Sequence, residues 1–308
     1  MNWLIFVIIG HFFWATNGII AKILLTKYVN NIFVYTIFIG LVSFLPVFVV
    51  PFKPITLPNL SLLITSLIAG MLYVYAIIPY LKALSIEEVS RVMPIWRFVP
   101  LFVLILSILF LGEQLTNYEL IAFFILVLGG LLISIHKTKD TFKISKAFYF
   151  MLLSCFLFSI YNILAKWIYN HVPYYDGFIL IRIGSVLGAL MLLLVTSLRS
   201  KFIRTFSQMP TKIKQVALVV GIFNVSGHVF LNLALFMAPV SLVTASGGVN
   251  SIIVLLLTLL LSHKYPHILK ENFTKPVLLQ KSVAIFLIII GAGIIVFIWL
   301  KFIYGQVY

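Results

Sequence analysis

The chain repeats itself, and each copy holds an odd number of apolar spans. A shift of 144 residues pairs Phe12, Ile19, Ala21, Lys22 and Gly40 with Phe156, Ile163, Ala165, Lys166 and Gly184. A shift of 151 pairs Gly70, Ala83, Leu84, Val89, Ser90, Val92 and Leu104 with Gly221, Ala234, Leu235, Val240, Ser241, Val243 and Leu255. A shift of 162 pairs Ala122, Phe124 and Gly129 with Ala284, Phe286 and Gly291. Five spans in each copy oblige the second to enter a membrane from the side opposite to the first, so the halves are related by a pseudo-two-fold axis in the membrane plane. Such inverted repeats imply a secondary transporter.

The membrane itself follows from composition. With 63% hydrophobic and 9% charged residues over 308 positions, the chain cannot cover a soluble globule with polar surface. The expected spans are Trp3 to Leu25, Ile32 to Val50, Leu60 to Lys82, Glu88 to Leu111, Asn117 to Ile135, Ala147 to Ile168, Phe178 to Leu198, Ile213 to Met237, Val240 to Leu261 and Lys281 to Ile303. Each is close to the ~20 apolar residues that cross the hydrocarbon as a helix, with every backbone group bonded internally. Alternating segments of a β-barrel are not seen. The fold expected is therefore an all-α integral membrane protein, ten transmembrane helices as two inverted five-helix repeats. The first repeat covers 1–136, a polar linker 137–146, and the second repeat 147–308. The first span has no basic stretch before it and no small-residue cleavage site, and reads as a retained helix. Cys155 is the sole cysteine, which excludes an internal disulfide and a thiolate metal cluster.

The net charge of +15 lies in short connections, where it orients the chain instead of binding nucleic acid. Only Lys53, Lys166 and Lys301 fall at one face, Arg97 and Arg182 fall inside the membrane, and the remaining Lys and Arg fall at the other face. By the positive-inside rule that basic face is cytoplasmic and both termini lie outside. Longer connections are expected around Ser200 to Thr211 and His263 to Gln280.

Transporter sites sit where helices are interrupted, because a broken helix turns backbone groups and dipole ends toward a ligand. The fourth span reads Pro94-Ile95-Trp96-Arg97-Phe98-Val99-Pro100 and the ninth, at the same level, Ala245-Ser246-Gly247-Gly248-Val249-Asn250. Both copies carry breakers at one depth. Arg97 lies about ten residues into a helix of ~20, near the membrane centre, where an uncompensated charge costs ~2.5 kcal/mol or more. Arg182, expected nearer the end of its span, has the option of snorkelling to the interface. The candidate substrate-binding set is Trp14, Asn17, Tyr73, Trp96, Arg97, Tyr161, Asn162, Arg182, Asn224, His228, Ser246 and Asn250. The competing reading is interhelical hydrogen bonding, worth ~0.6 kcal/mol per group. The fifth and tenth spans are aliphatic with Gly129, Gly130, Gly291 and Gly293, which suits contact surfaces instead of site walls.

The chain resembles, over nearly its whole length, EamA-type members of the drug/metabolite transporter superfamily. The resemblance rests on the tight joint Ala83-Leu84-Ser85-Ile86-Glu87, the fourth-span ending Leu111-Gly112-Glu113-Gln114-Leu115-Thr116, Ile181-Arg182-Ile183-Gly184, and the glycines of the fifth and tenth spans. Phe38 stands where the first half would carry the counterpart of Arg182, and His263-Lys264 replaces Gly-Glu at the end of the ninth span. The resemblance implies cytoplasmic termini, opposite to the charge count.

Function classes narrow accordingly. The carboxylates Glu87, Glu88, Glu113, Glu119, Asp140, Asp176 and Glu271 lie near span ends or in connections, with no pair placed for acid–base work or a metal. Pro266 breaks the helix that a His263/His267 metal pair requires, and no P-loop is present. No enzyme, cofactor or metal is expected. The reading is a secondary, non-ATP transporter that moves a small neutral or anionic organic metabolite by alternating access through a central cavity. A lipid-headgroup carrier or flippase of the same superfamily and a membrane-embedded enzyme are the alternatives. Its partners are that metabolite and the bilayer, with no nucleic acid; the chain is a monomer or homodimer, an integral multi-pass protein expected in the plasma (cytoplasmic) membrane.

Overall fold

The computed structural model describes residues 3–29, 31–87, 92–134, 145–262 and 275–305. Every regular element among them is a helix. The first half comprises α1 (Trp3–Lys27), α2 (Ile32–Val42), α3 (Leu60–Ile86), α4 (Phe98–Leu111) and α5 (Asn117–Ser134); 3₁₀ turns Leu45–Val49 and Ile95–Arg97 follow α2 and precede α4. The second half comprises α6 (Lys146–Tyr169), α7 (Tyr174–Leu194), α8 (Thr196–Ser207), α9 (Thr211–Met237), α10 (Val240–Ala245), α11 (Gly248–Ser262) and α12 (Lys275–Gly305). Among the described residues, eight segments are long and apolar enough to cross a membrane, and the apolar helices Ile95–Leu111 and Asn117–Leu132 are shorter. Those two lie where the fourth and fifth spans are expected. Apart from Ser145 and Lys146, the linker expected at 137–146 lies outside the described residues, as does His263-Lys264.

Local chemistry sets the helix ends. Asn31 caps α2, its Oδ1 accepting from the amides of Phe33 at 3.0 Å and Val34 at 3.2 Å, and Asn59 caps α3 by accepting from Leu62 N–H at 2.9 Å. The α4 helix stops at Gly112, whose φ of 63° is a left-handed conformation that side chains disfavour. The amide of Glu113 then closes back on the Ser107 carbonyl at 3.1 Å.

Several helix pairings recur between the two halves, although the extensive α3–α7 contact has only a slight counterpart between α9 and α2. Helix α1 packs along α9 and its repeat partner α6 along α3; α4 packs on α6 as α11 packs on α1; α5 packs on α12. Between α5 and α12 the glycines are contact points, Gly129 against Ile288 and Gly291 against Leu126. The α3–α7 seam is the tightest: a Cβ built on Gly70 would stand 2.0 Å from the Ile181 carbonyl oxygen, and one on Gly184 2.3 Å from that of Leu67.

Two expectations are corrected here. The stretch Ser200 to Thr211, expected as a long connection, is mostly occupied by α8 (Thr196–Ser207). Its charged Arg199, Lys201 and Arg204 are exposed, while the Phe206 ring stacks on Phe38 at 5.5 Å, so amphipathicity makes it a surface helix. Helix α7 begins at Tyr174, directly after Pro173, instead of at Phe178. That start puts Arg182 near the middle of its helix.

Candidate functional site

The two interruptions fall where the sequence puts them, but neither is unwound. Trp96 N–H bonds the Met93 carbonyl at 3.2 Å and Arg97 N–H that of Pro94 at 3.1 Å; in the ninth span Gly247 N–H bonds the Thr244 carbonyl and Asn250 N–H that of Gly247, both at 3.1 Å. These are 3₁₀ closures that keep the chain bonded through the break. The carbonyls of Ile95 and Val99 also accept from α6, from Cys155 Sγ at 3.4 Å and Ser159 Oγ at 3.2 Å. The expectation that broken backbone lines the site is therefore not met at these groups; side chains do that work.

Those side chains form a buried polar strip across the junction of the halves. Trp14 comes from α1, Tyr73 from α3, Tyr161 and Tyr169 from α6, Arg182 from α7, and Asn224, His228 and Asn232 from α9. Tyr73 Oη and His228 Nε2 share a hydrogen bond of 2.7 Å, and the Trp14 ring meets that of His228 edge-on at 5.0 Å. Asn232 Oδ1 accepts from Tyr161 Oη at 3.2 Å and Tyr169 Oη at 2.9 Å, and its Nδ2 donates to the His228 carbonyl at 2.9 Å. With its proton committed to Asn232, Tyr161 Oη has lone pairs left, and Arg182 Nη2 donates to it at 3.0 Å.

Arg182 is the centre of the strip. It is 0% exposed, yet among the described residues its Nε and Nη1 have no hydrogen-bond partner. The rings of Tyr73 and Phe178 lie over its guanidinium at 5.1 and 5.3 Å, which stabilises the cation through the ring quadrupoles without satisfying its N–H groups. Trp14 Nε1 and Asn224 Oδ1 are also buried and unbonded. These are buried donors and acceptors that no described protein group uses, an exception to the usual pairing of buried polar atoms.

Of the twelve sequence candidates, Trp14, Tyr73, Tyr161, Arg182, Asn224 and His228 belong to this strip. Trp96 stands beside it, edge-on to Phe158 at 5.0 Å, which is in turn edge-on to Tyr73 at 5.9 Å. Asn162 donates to the Phe158 carbonyl of its own helix at 2.7 Å, and Ser246 Oγ to the Val243 carbonyl at 2.6 Å. Asn17 and Asn250 keep a buried, unbonded Oδ1 each. Arg97 is elsewhere: 8% exposed, it donates from Nη2 to Ser251 Oγ on α11, with Gly130 and Gly247 leaving room for its side chain. Sequence reasoning left Tyr169, Asn232 and Ser251 out of the set. Asn232 was recognisable one turn beyond His228, while Tyr169 and Ser251 carry no sequence signal.

The helices and their buried polar strip define an integral membrane protein with a charged core. Residues 1–135 match the EamA-like transporter family. A solved crystal structure shares the fold, covering 96% of this chain and 96% of its own with a TM-score of 0.66 at 13% identity. No curated protein matches the chain.

Proposed function

We propose that the protein is a secondary transporter with ten membrane helices in two inverted repeats, carrying a small neutral or anionic organic metabolite past the Arg182 strip by alternating access. The observation that carries this reading is an asymmetry between two repeat-related seams. The glycines that bring α3 and α7 into backbone contact, Gly70 and Gly184, have repeat equivalents in Gly221 of α9 and Gly40 of α2. That second pair is not joined the same way: Gly221 faces the Val42 side chain, and Gly40 faces Ala189 and the Ser185 carbonyl of α7. In an inverted repeat, exchanging the conformations of the halves moves a closed seam from one side of the membrane to the other. Glycines at both seams give each the small surface that close helix approach requires. The strip lies between halves that trade places, so a solute bound there meets one side and then the other.

Reconstituted vesicles test the reading. Vesicles containing the protein, given a radiolabelled extract of small metabolites without ATP, should accumulate a subset of solutes above protein-free vesicles, recovered chemically unchanged. No accumulation above control, or recovery of altered products, overturns it.

A further inference from the structure

We infer that the solute recognised at Arg182 is an organic monocarboxylate, uncharged elsewhere, bound through one edge of the guanidinium. The inference rests on the transporter reading and narrows its substrate class. Its basis is the donor arithmetic of one side chain. A guanidinium offers five N–H groups on two edges suited to bidentate acceptance, one formed by Nε and Nη2 and the other by Nη1 and Nη2. Tyr161 takes a single hydrogen of Nη2, and Nε and Nη1 are unbonded. Whichever Nη2 hydrogen Tyr161 takes, one complete edge retains two parallel N–H donors. A carboxylate fits such an edge with both oxygens in a charge-assisted pair, and a neutral amide fits it with one.

Charge sets the number of carboxylates. Among the described residues Arg182 hydrogen-bonds no acidic group, so a bound monoanion brings the strip to neutrality; the aromatic neighbours contribute only quadrupoles. Arg97 donates to Ser251 on a different helix, and Lys166 Nζ donates to the carbonyls of Leu235 and Phe236 at 2.9 and 3.3 Å. With no second cation hydrogen-bonded within the strip, a dianion is left with one charge uncompensated at low dielectric. An ammonium on the solute is disfavoured for the converse reason, since the strip has neutral acceptors such as Asn224 Oδ1 but no carboxylate. The body of the solute meets rings, those of Tyr73, Tyr161, Trp14 and His228, which suits an apolar or aromatic group.

The test is binding to the purified full chain by thermal shift and calorimetry with matched probes: butyrate and phenylacetate, their amides, their amine analogues, and the dicarboxylates succinate and phenylsuccinate. A monocarboxylate should bind tighter than its amide, amine and dicarboxylate. Arg182→Gln should lower its affinity by about 10- to 100-fold and that of the amide, which has a single hydrogen bond to lose, by less. Arg182→Lys should fall between the parent and Arg182→Gln, because a single ammonium lacks the guanidinium fork. Failure of both monocarboxylates to bind, equal binding of amide and acid, or full retention of acid preference in Arg182→Lys overturns the inference. Vesicle flux of the same probes separates it from the broader reading. Amides that cross while acids neither bind nor cross leave a transporter of neutral solutes; acids that bind at Arg182 but do not cross leave a binding site without transport.

Discussion

Gly70 and Gly184 meet backbone to backbone: a side chain on either would overlap a carbonyl of the facing helix, Ile181 in one case and Leu67 in the other. Because the obstacle is backbone and not the end of a flexible side chain, it cannot move aside without separating α3 from α7. Gly184→Val should therefore splay this seam, lowering the melting temperature by the equivalent of about 1–3 kcal/mol. Transport should fall more than ligand binding does, because the closed side no longer seals. Thermal unfolding, calorimetry and vesicle flux on the same preparation measure all three. Equal loss of binding and flux would show that the seam serves folding alone.

Substituting the equivalent glycine of the other seam is expected to behave differently. A Cβ on Gly221 meets the Val42 side chain at 2.7 Å, an obstacle made of side chain and not of backbone. Gly221→Ala should cost about 1–2 kcal/mol of stability, less than Gly184→Val, because the overlap is with one side chain. It should slow exchange, because the opposite closed state needs α9 against α2. The check is a comparison of steady-state exchange rate with melting temperature; an exchange rate equal to that of the parent would contradict the seam assignment.

The two buried arginines should separate by phenotype. Arg97 holds α4 to α11 through Ser251, so Arg97→Gln is expected to lower stability by about 1–3 kcal/mol and leave solute affinity in the folded fraction intact. Arg182→Gln should act on affinity first. Measuring melting temperature and affinity in both variants decides this, and loss of affinity in Arg97→Gln would bring that residue into the site.

Tyr73 contributes a hydroxyl to His228 and a ring to Arg182, and these can be removed one at a time. Tyr73→Phe keeps the ring and loses the 2.7 Å hydrogen bond, at a cost of about 1–2 kcal/mol. Tyr73→Leu also removes the ring face from the guanidinium and should cost roughly 2 kcal/mol more. Denaturation in detergent gives the ranking. A Phe variant as unstable as the Leu variant would show that the ring contact is without weight.

Gly112 ends α4 in a conformation with φ of 63°, and Glu113, the next residue, accepts from Ser241 Oγ of α10 at 2.9 Å. Gly112→Val should destabilise by about 1–2 kcal/mol through the left-handed backbone alone, since nothing crowds the position. Gly112→Asn, which tolerates that conformation better, should recover part of the loss. Parallel unfolding curves of the two variants measure it.

The apolar segments and the two interruptions could be read from the residues alone, because hydropathy, proline and glycine act on the few residues around them. The sequence also put Tyr73, Arg182 and His228 among the candidates, as polar groups at depths where they need partners. What it left undecided was which of those groups meet. Tyr73 and His228 are 155 residues apart in the chain and Arg97 and Ser251 154 apart, and both pairings depend on how each helix is rotated and shifted against its neighbours. The roles of the arginines turned on that same freedom: the start of α7 after Pro173 carried Arg182 inward by about one turn, and the packing of α11 gave Arg97 a bonding partner. Local periodicity does not encode rotation about a helix axis once both faces of the helix are apolar. It is therefore the packing of the helices that leaves Arg182 buried with unbonded donors while Arg97 is held by Ser251.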